Sequence, residues 1–197
     1  MICVIDYGMG NLKSVSNALE YLEIPFIISK EKKDIKSASA ILIPGVGAYY
    51  DAMKNLKERD LDVAIIEEAS NGKPILGICL GMQILFDAGE EVERTDGLGL
   101  INGTVRYMDI KLKVPHIGWN NIKVNKNNGF INQANYVYFV HSFYADTIDE
   151  VILAYCDYEL KIPAIVKKDN IYGMQFHPEK SGELGLGLIK RFWEAVQ

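Results

Sequence analysis

The sequence predicts an α/β fold: a doubly wound, mostly parallel central sheet, with an additional antiparallel β-rich portion in the C-terminal half. Two observations lead to this prediction. Up to Gly89, short apolar runs alternate with amphipathic segments, which is the pattern of parallel strands covered by helices on both faces. Beyond Gly89, charged turns separate shorter strands with few helical segments between them, which favours antiparallel pairing.

The first half reads as strands that each end in a turn and lead into a helix. Buried strands are predicted at residues 1–6, 26–29, 40–44 and 74–78. Leu12, Val15, Leu19 and Leu22 recur at helical spacing after the glycine turn 7–11. Two further helices are predicted near residues 48–57 and 61–70, and a third directly after residue 79, whereas the polar stretch 30–39 carries no predicted element.

The second half reads as a series of strands that ends in a helix. The predicted strands are residues 101–107, 117–124, 136–141, 151–156, 164–167 and 171–175. The turn at residues 168–170 suits a hairpin between the last two strands, and residues 185–196 are predicted to form a helix that packs on the sheet. Without a repeat or a linker, the prediction is a single domain spanning residues 1–197.

Composition excludes several classes of function. The formal charge of −5 and the pI near 5.3 argue against nucleic acid or an anionic membrane as the main partner. Cys3, Cys79 and Cys156 are odd in number and far apart, which predicts neither a complete disulfide framework nor a metal site, and favours the reducing cytoplasm. Asp6 interrupts the first apolar stretch, so no signal peptide is predicted. The glycine turns lack a phosphate-binding pattern, so no cofactor is expected.

Cys79 ends the strand at 74–78, between Gly77 and Gly81. A nucleophile at a sharp turn between a strand and a helix is the nucleophile-elbow arrangement. Such a turn imposes strained backbone angles, and a side chain two positions to either side would collide with the crossing strand and helix. A cysteine in an apolar run is usually a small core residue, but this glycine spacing favours a nucleophile. The N–H groups at the start of the following helix can then bind an oxyanion that forms on the substrate.

A cysteine nucleophile needs a base, and the chain contains three histidines. His177 follows a predicted strand, and Glu179, two residues on, can orient its ring toward Cys79. Pro178 between them restricts the backbone. The alternative is a turn histidine beside a surface carboxylate. His116 and His141 are expected to be structural or to line the site.

These motifs resemble a known family. Gly77-x-Cys79-x-Gly81-x-Gln83, followed late in the chain by His177-Pro-Glu179, resembles the class I, triad-type glutamine amidotransferases. Segments 7–11, 44–47, 115–120, 139–142 and 177–181 resemble one branch of that family, the glutaminase subunits of imidazole glycerol phosphate synthases in histidine biosynthesis. The similarity extends over essentially the whole chain. Pro44-Gly-Val-Gly47 differs from the Gly-Gly typical of other branches.

The resemblance implies a mechanism. Cys79 attacks the side-chain amide carbon of glutamine while His177 takes and returns a proton, and water then hydrolyses the thioester to glutamate. The oxyanion is implied to bind the backbone N–H groups of Val46 and Leu80, and the Val46 peptide must flip before it can donate, so the isolated subunit should be idle. The residues implied to hold the glutamine head group are Gly47, Gln83, Ser142 and Phe143.

Ammonia released into water at neutral pH becomes ammonium and loses its nucleophilicity, so its acceptor must be close. The segment after Glu179 is too short for an acceptor domain, so a partner chain is expected. The resemblance implies that this partner is a (βα)8-barrel cyclase subunit that acts on a phosphoribosyl-formimino carboxamide ribotide in a heterodimer. The residues matching the interface and ammonia gate are Met9, Asn11, Trp119, Tyr138 and Lys180. Taken singly, an aromatic residue such as Trp119 is more often in the core.

Three alternatives stay open at this point. A paralogous amidotransferase would supply ammonia to a different barrel synthase, for example in surface-polysaccharide sugar modification, and its acceptor site would also be on the other chain. A stand-alone hydrolase of γ-glutamyl amides would turn over without a partner. A silent binding subunit would not need Cys79, His177 and Glu179 together. Phe143, where the family often has tyrosine, and the tract 157–163 depart from the family pattern without indicating an acceptor.

Overall fold

Most of the strands and helices that the sequence predicts are present in the structure. A computed structural model describes residues 1–125 and 129–196. The strands are β1 (Ile2–Ile5), β2 (Phe26–Ser29), β3 (Ala40–Gly45), β4 (Ile75–Cys79), β5 (Phe86–Glu90), β6 (Arg94–Asp96), β7 (Ile101–Tyr107), β8 (His116–Val124), β9 (Asn135–His141), β10 (Phe143–Asp146), β11 (Ile152–Tyr158), β12 (Leu160–Lys168) and β13 (Ile171–Met174). The helices are α1 (Leu12–Tyr21), α2 (Lys32–Ser37), α3 (Tyr49–Lys57), α4 (Leu61–Ser70), α5 (Leu80–Gln83) and α6 (Gly182–Glu194).

A nine-stranded sheet in the order β2-β1-β3-β4-β13-β12-β11-β8-β9 confirms the predicted fold class. Strands β2, β1, β3, β4 and β13 pair in parallel, and the remaining neighbours pair antiparallel. The β-rich half therefore extends the central sheet. A smaller sheet, β10-β7-β5-β6, lies beside it.

The parallel part of the sheet is covered on both faces, as expected for a doubly wound fold. Alternate residues of β1 point to opposite sides because side chains alternate along a strand. Ile2 and Val4 belong to the apolar cluster that includes Leu19 of α1 and Phe192 of α6. Cys3 and Ile5 belong to the other cluster, which includes buried side chains of α2, α3 and α4.

The structure corrects the prediction in three places. The polar stretch 30–39 contains helix α2, whose buried residue is Ile35. The segment after Cys79 forms only one helical turn, α5, and Phe86 begins strand β5 instead of continuing a helix. Strands β6 and β10 were not predicted. The apolar run 84–86 is fully buried, and such a run has no periodicity that separates a helix from a strand.

The predicted hairpin at the end of the β-rich half is confirmed. Strands β12 and β13 pair antiparallel with Lys168 opposite Ile171, and Asp169 in the turn has a φ of 52°. This pairing places β13 between β12 and β4. The segment that follows β13 is therefore next to the end of β4. Within the described ranges, no helix is long and apolar enough to cross a membrane.

Candidate active site

Cys79 lies at the end of β4 with strained backbone angles, φ 55° and ψ −112°. The two flanking glycines have the packing reason that the sequence predicts. A Cβ on Gly77 would lie 2.4 Å from the carbonyl oxygen of Gly81, and a Cβ on Gly81 would lie 1.9 Å from the carbonyl oxygen of Ile43. Both obstacles are backbone atoms, so the elbow admits only glycine at these two positions.

The turns after β1 and β3 meet the elbow at the carboxyl edge of the sheet. Tyr7 is fully buried, and its hydroxyl donates a 2.7 Å hydrogen bond to the carbonyl oxygen of Pro44. A Cβ on Gly45 would lie 2.7 Å from the backbone nitrogen of Gly81, so the turn after β3 is in direct contact with the elbow. Gly47 has a φ of 113°, and the side chain of Met9 covers the space above it.

His177 is held beside the elbow by the segment that follows β13. Its backbone N–H donates to the carbonyl oxygen of Tyr138 on β9, and its own carbonyl accepts from the hydroxyl of Ser181 at 2.7 Å. Its Nδ1 lies 2.8 Å from Oε1 of Glu179, and the two side chains are 3% and 1% exposed. Among the described residues, Nε2 of His177 has no hydrogen-bond partner.

Two opposing effects determine the charge of His177. Burial favours the neutral ring and lowers its pKa, but the neighbouring Cys79 sulfur and the Glu179 carboxylate stabilise the cation more strongly. Together they raise the pKa of His177 to about 9. The Cys79 sulfur and the Glu179 carboxylate therefore favour the imidazolium form of this ring.

A cavity of about 240 Å³ opens over Cys79. Most of its lining residues are ones that the sequence predicts for the site, and the structure brings these together: Val46, Gly47, Cys79, Leu80, Gln83, Ser142, Phe143 and His177. Glu91 also lines the cavity and was missed. Its Oε2 accepts a hydrogen bond from the backbone N–H of Tyr49 at 2.6 Å. No local sequence pattern indicates Glu91, because it reaches the cavity through a bend after β5 and its hydrogen-bond partner, Tyr49, is distant in the sequence.

Two neutral histidines, His116 on β8 and His141 on β9, are hydrogen-bonded to each other beside the cavity. His141 lines the cavity, and its Nδ1 lies 2.8 Å from the carbonyl oxygen of Phe143. That carbonyl can only accept, so Nε2 of His141 accepts from Nδ1 of His116 at 3.1 Å, and Nε2 of His116 accepts from the amide of Asn120 at 3.1 Å. Burial lowers the pKa of His116 to about 4 and that of His141 to about 3. Both rings therefore stay uncharged in this role.

The residues predicted for the partner interface fall outside the cavity. Trp119 is 56% exposed, so it is not a core residue. Its ring contacts that of Tyr138 edge-on at 6.2 Å, and the ammonium of Lys180 lies 6.0 Å from the Tyr138 ring. Asn11 is exposed and caps α1 by accepting from the backbone N–H of Ser14 at 3.1 Å. Met9 lies next to Gly47 at the rim of the cavity.

Across residues 1–125 and 129–196, no three histidine, cysteine, aspartate or glutamate side chains are grouped closely enough to hold a metal ion. Cys3, Cys79 and Cys156 are all free and buried. Beside Cys79, the cavity is lined by the imidazoles of His141 and His177, the amide of Gln83 and the carboxylate of Glu91.

Comparison with known proteins gives a consistent result. The chain matches the family model "Glutamine amidotransferase class-I" over residues 3–195. It is 45% identical to imidazole glycerol phosphate synthase subunit HisH of Bacillus cereus (strain ATCC 14579) and to the subunit of that name of Bacillus mycoides (strain KBAB4), in each case over 100% of this chain and 96% of the relative.

Solved structures agree at the level of the fold. A crystal structure described as a glutamine amidotransferase has a TM-score of 0.81 at 18% identity, over 100% of this chain and 99% of that one. The structure of PurLQS from Thermotoga maritima has a TM-score of 0.75 at 22% identity, over 100% of this chain and 98% of that one.

Proposed function

Since the chain belongs to the class-I glutamine amidotransferase family, we propose that it is the glutaminase subunit of an imidazole glycerol phosphate synthase. The observation that carries this proposal is 45% identity over the full chain to proteins of that name. The cavity supports it independently, because a buried cysteine with strained backbone angles faces a histidine that is paired with a carboxylate. In this proposal glutamine is hydrolysed to glutamate, and the ammonia goes to a cyclase subunit.

The reaction starts from the thiolate of Cys79 and the imidazolium of His177. The sulfur attacks the side-chain amide carbon of glutamine, and the carbonyl oxygen becomes an oxyanion. His177 gives its proton to the amide nitrogen, the carbon–nitrogen bond breaks, and ammonia leaves. Neutral His177 then takes a proton from water, which attacks the thioester and releases glutamate and the thiolate. Glu179 holds the ring in one orientation and stabilises its charged form.

The groups around the cavity fit this reaction. The backbone N–H groups of Leu80 and Val46 are proposed to bind the oxyanion, and losing one such donor typically costs about 100–1000-fold in rate. Val46 is 43% exposed at the rim, where a rearrangement of its peptide meets little packing. Glu91 adds a carboxylate to the cavity wall, which complements the α-ammonium group of glutamine.

The raised pKa of His177 predicts a limit on activity at alkaline pH. Below about pH 9 the ring is protonated and can act as the acid, so kcat/KM of the partner-activated enzyme should fall as the pH rises through about 9. Replacing Glu179 by glutamine removes one of the groups that raise this pKa. The fall in kcat/KM should then occur at lower pH, and kcat should drop roughly 100–10,000-fold.

The measurement for this prediction is kcat and kcat/KM against pH for the wild type and for Glu179→Gln. Glu183→Gln is the matched control, because Glu183 is exposed at the start of α6 and should leave the profile unchanged. A Glu179→Gln enzyme whose alkaline limb coincides with that of the wild type would show that this carboxylate does not support the imidazolium.

The three free, buried cysteines suit the proposed location in the cytoplasm.

The partner is proposed to be a (βα)8-barrel cyclase that docks beside the cavity. Trp119 is the anchor to test. Replacing it by alanine should weaken binding to the cyclase roughly 30-fold, because exposed aromatic residues at an interface centre contribute about 2 kcal/mol or more.

Titration calorimetry with the purified cyclase would measure this loss. Tyr21→Ala is the control, since Tyr21 is 77% exposed at the end of α1, on a different element. If the Trp119→Ala variant and the wild type bound the cyclase with equal affinity, Trp119 would not be an anchor of the interface.

Glutamate release decides the proposed function. The purified chain is assayed alone, with a histidine-pathway barrel cyclase, and with that cyclase plus its ribotide ligand. Strong stimulation by cyclase and ligand supports the assignment. Rapid glutamate release by the chain alone would favour a stand-alone hydrolase. Glutamate release that this cyclase does not stimulate would favour a paralogue that serves another barrel synthase.

A further inference from the structure

A buried glutamine next to the nucleophile has no part in the mechanism above. Gln175 follows β13 directly and is 0% exposed. Its Oε1 lies 3.1 Å from Nε2 of Gln83, and its own Nε2 lies 4.0 Å from the sulfur of Cys79. One side chain therefore contacts both the candidate nucleophile and a residue that lines the cavity.

The orientation of both amides follows from one backbone carbonyl. The carbonyl oxygen of Phe143 can only accept, and it lies 3.0 Å from the Gln83 amide nitrogen and 2.8 Å from Nδ1 of His141. The group of Gln83 that faces it must therefore be the NH2. That same NH2 contacts Gln175, so the facing atom of Gln175 must be its oxygen. The NH2 of Gln175 is then the end that faces Cys79.

We propose that Gln175 is a positioning residue for the reaction: its oxygen fixes the amide of Gln83, and its NH2 donates to the thiolate of Cys79. The inference rests on the proposed glutaminase function for its catalytic consequence. It does not rest on that function for its geometry or for its first test.

The proposal explains what Gln83 offers to a substrate. Both hydrogens of its amide are used, one on Phe143 and one on Gln175. Only its oxygen is free to face the cavity, so Gln83 presents an acceptor. Glutamine carries two matching donors, its α-ammonium group and its side-chain NH2. A ligand that brought an acceptor to this point would meet the lone pairs of an oxygen and be rejected.

The proposal also explains how the sulfur is held before substrate binds. Cys79 is 6% exposed, so few waters can solvate a thiolate there, and an N–H donor from a buried amide replaces part of that solvation. The contact is long for a hydrogen bond and its acceptor is charged. We therefore expect a moderate effect, about fivefold to tenfold on the reactivity of the thiolate.

The test is alkylation of Cys79 by iodoacetamide in the full chain without glutamine or partner, followed by peptide mass spectrometry between pH 5 and 10. Two variants distinguish the role of the Gln175 oxygen from that of its NH2 group. Gln175→Met removes donor and acceptor at similar size. Gln175→Glu keeps an acceptor for Gln83 and replaces the donor by a carboxylate. Gln133→Met is the control, because Gln133 is exposed.

Neither variant changes the other titratable groups that face the sulfur or its cavity, which are His177, Tyr7, His141 and Glu91. We expect alkylation at pH 7 to fall fivefold to tenfold in Gln175→Met. In both variants the midpoint of the alkylation profile should move to higher pH, further in Gln175→Glu because its carboxylate repels the thiolate.

In the partner-activated assay, Gln175→Glu should lower kcat with little change in KM, whereas Gln175→Met should lower kcat and raise KM. A folded Gln175→Met or Gln175→Glu protein that alkylates like the wild type at every pH would overturn the proposal. Because alkylation needs no glutaminase activity, that result is distinguishable from failure of the proposed function. If the alkylation profile of the variants shifts but no cyclase activates the wild-type chain, the positioning role of Gln175 is supported and the proposed glutaminase function is rejected.

Discussion

Replacing Cys79 by alanine is expected to lower partner-activated glutamate release by roughly 10,000-fold or more, because the covalent step is lost entirely. The remaining groups would still bind glutamine, so the variant should retain its affinity for the substrate. The change removes one buried sulfur atom at a position that is 6% exposed, and it keeps a Cβ at the strained turn. Folding should therefore be preserved. The measurement is kcat for glutamate release with the cyclase and its ligand, together with glutamine binding by calorimetry.

Cys156→Ala is the matched control for this prediction. Cys156 is fully buried on β11, outside the cavity, so its loss tests the cost of removing a core thiol without touching the reaction. We expect this control to lose some stability and to keep its turnover number. Substantial glutamate release by Cys79→Ala would mean that the chain hydrolyses glutamine by direct attack of water, and the thioester mechanism would have to be abandoned.

Most of the parallel sheet could be predicted because its strands are short apolar runs bounded by glycine turns. Helix α2 could not, since Ile35 is its single buried residue and no side-chain hydrogen bond caps its start. The segment after Cys79 misled the prediction for a different reason. Met82, Leu85 and Phe86 are compatible with one helical face, but residues 84–86 are all buried, and the chain leaves the helix to begin β5.

The residues of the candidate site also fall into those that a local sequence pattern predicts and those that it does not. Cys79 and His177 could be found because their neighbours in sequence carry the signal: two glycines around the first, and Glu179 two residues after the second. Glu91 and Gln175 carry no such signal. Gln175 contacts Gln83 because β13 inserts between β4 and β12, and this pairing is a property of the sheet order, which no local pattern encodes.

Replacing Gly81 by alanine is expected to damage both stability and activity. The added Cβ would lie 1.9 Å from the carbonyl oxygen of Ile43, and both atoms belong to crossing backbone segments that cannot turn aside as a side chain can. Overpacking of this kind costs typically about 1–3 kcal/mol, and we expect roughly 3 kcal/mol because β3 or the elbow must move. A displacement of Cys79 by about 1 Å should also lower kcat by about 100-fold.

Denaturant unfolding and the partner-activated assay measure the two effects, and Gly187→Ala provides the matched comparison. Gly187 lies in helix α6, and a Cβ there would meet nothing within 4 Å. Alanine is the better helix former, so that variant should gain about 0.5–1 kcal/mol and keep full activity. The two substitutions add the same methyl group, so their difference isolates the crossing at the elbow. If Gly81→Ala were as stable and as active as Gly187→Ala, the close approach of β3 and the elbow would not be what requires glycine at position 81. The strained geometry that presents Cys79 to the cavity would then need another origin.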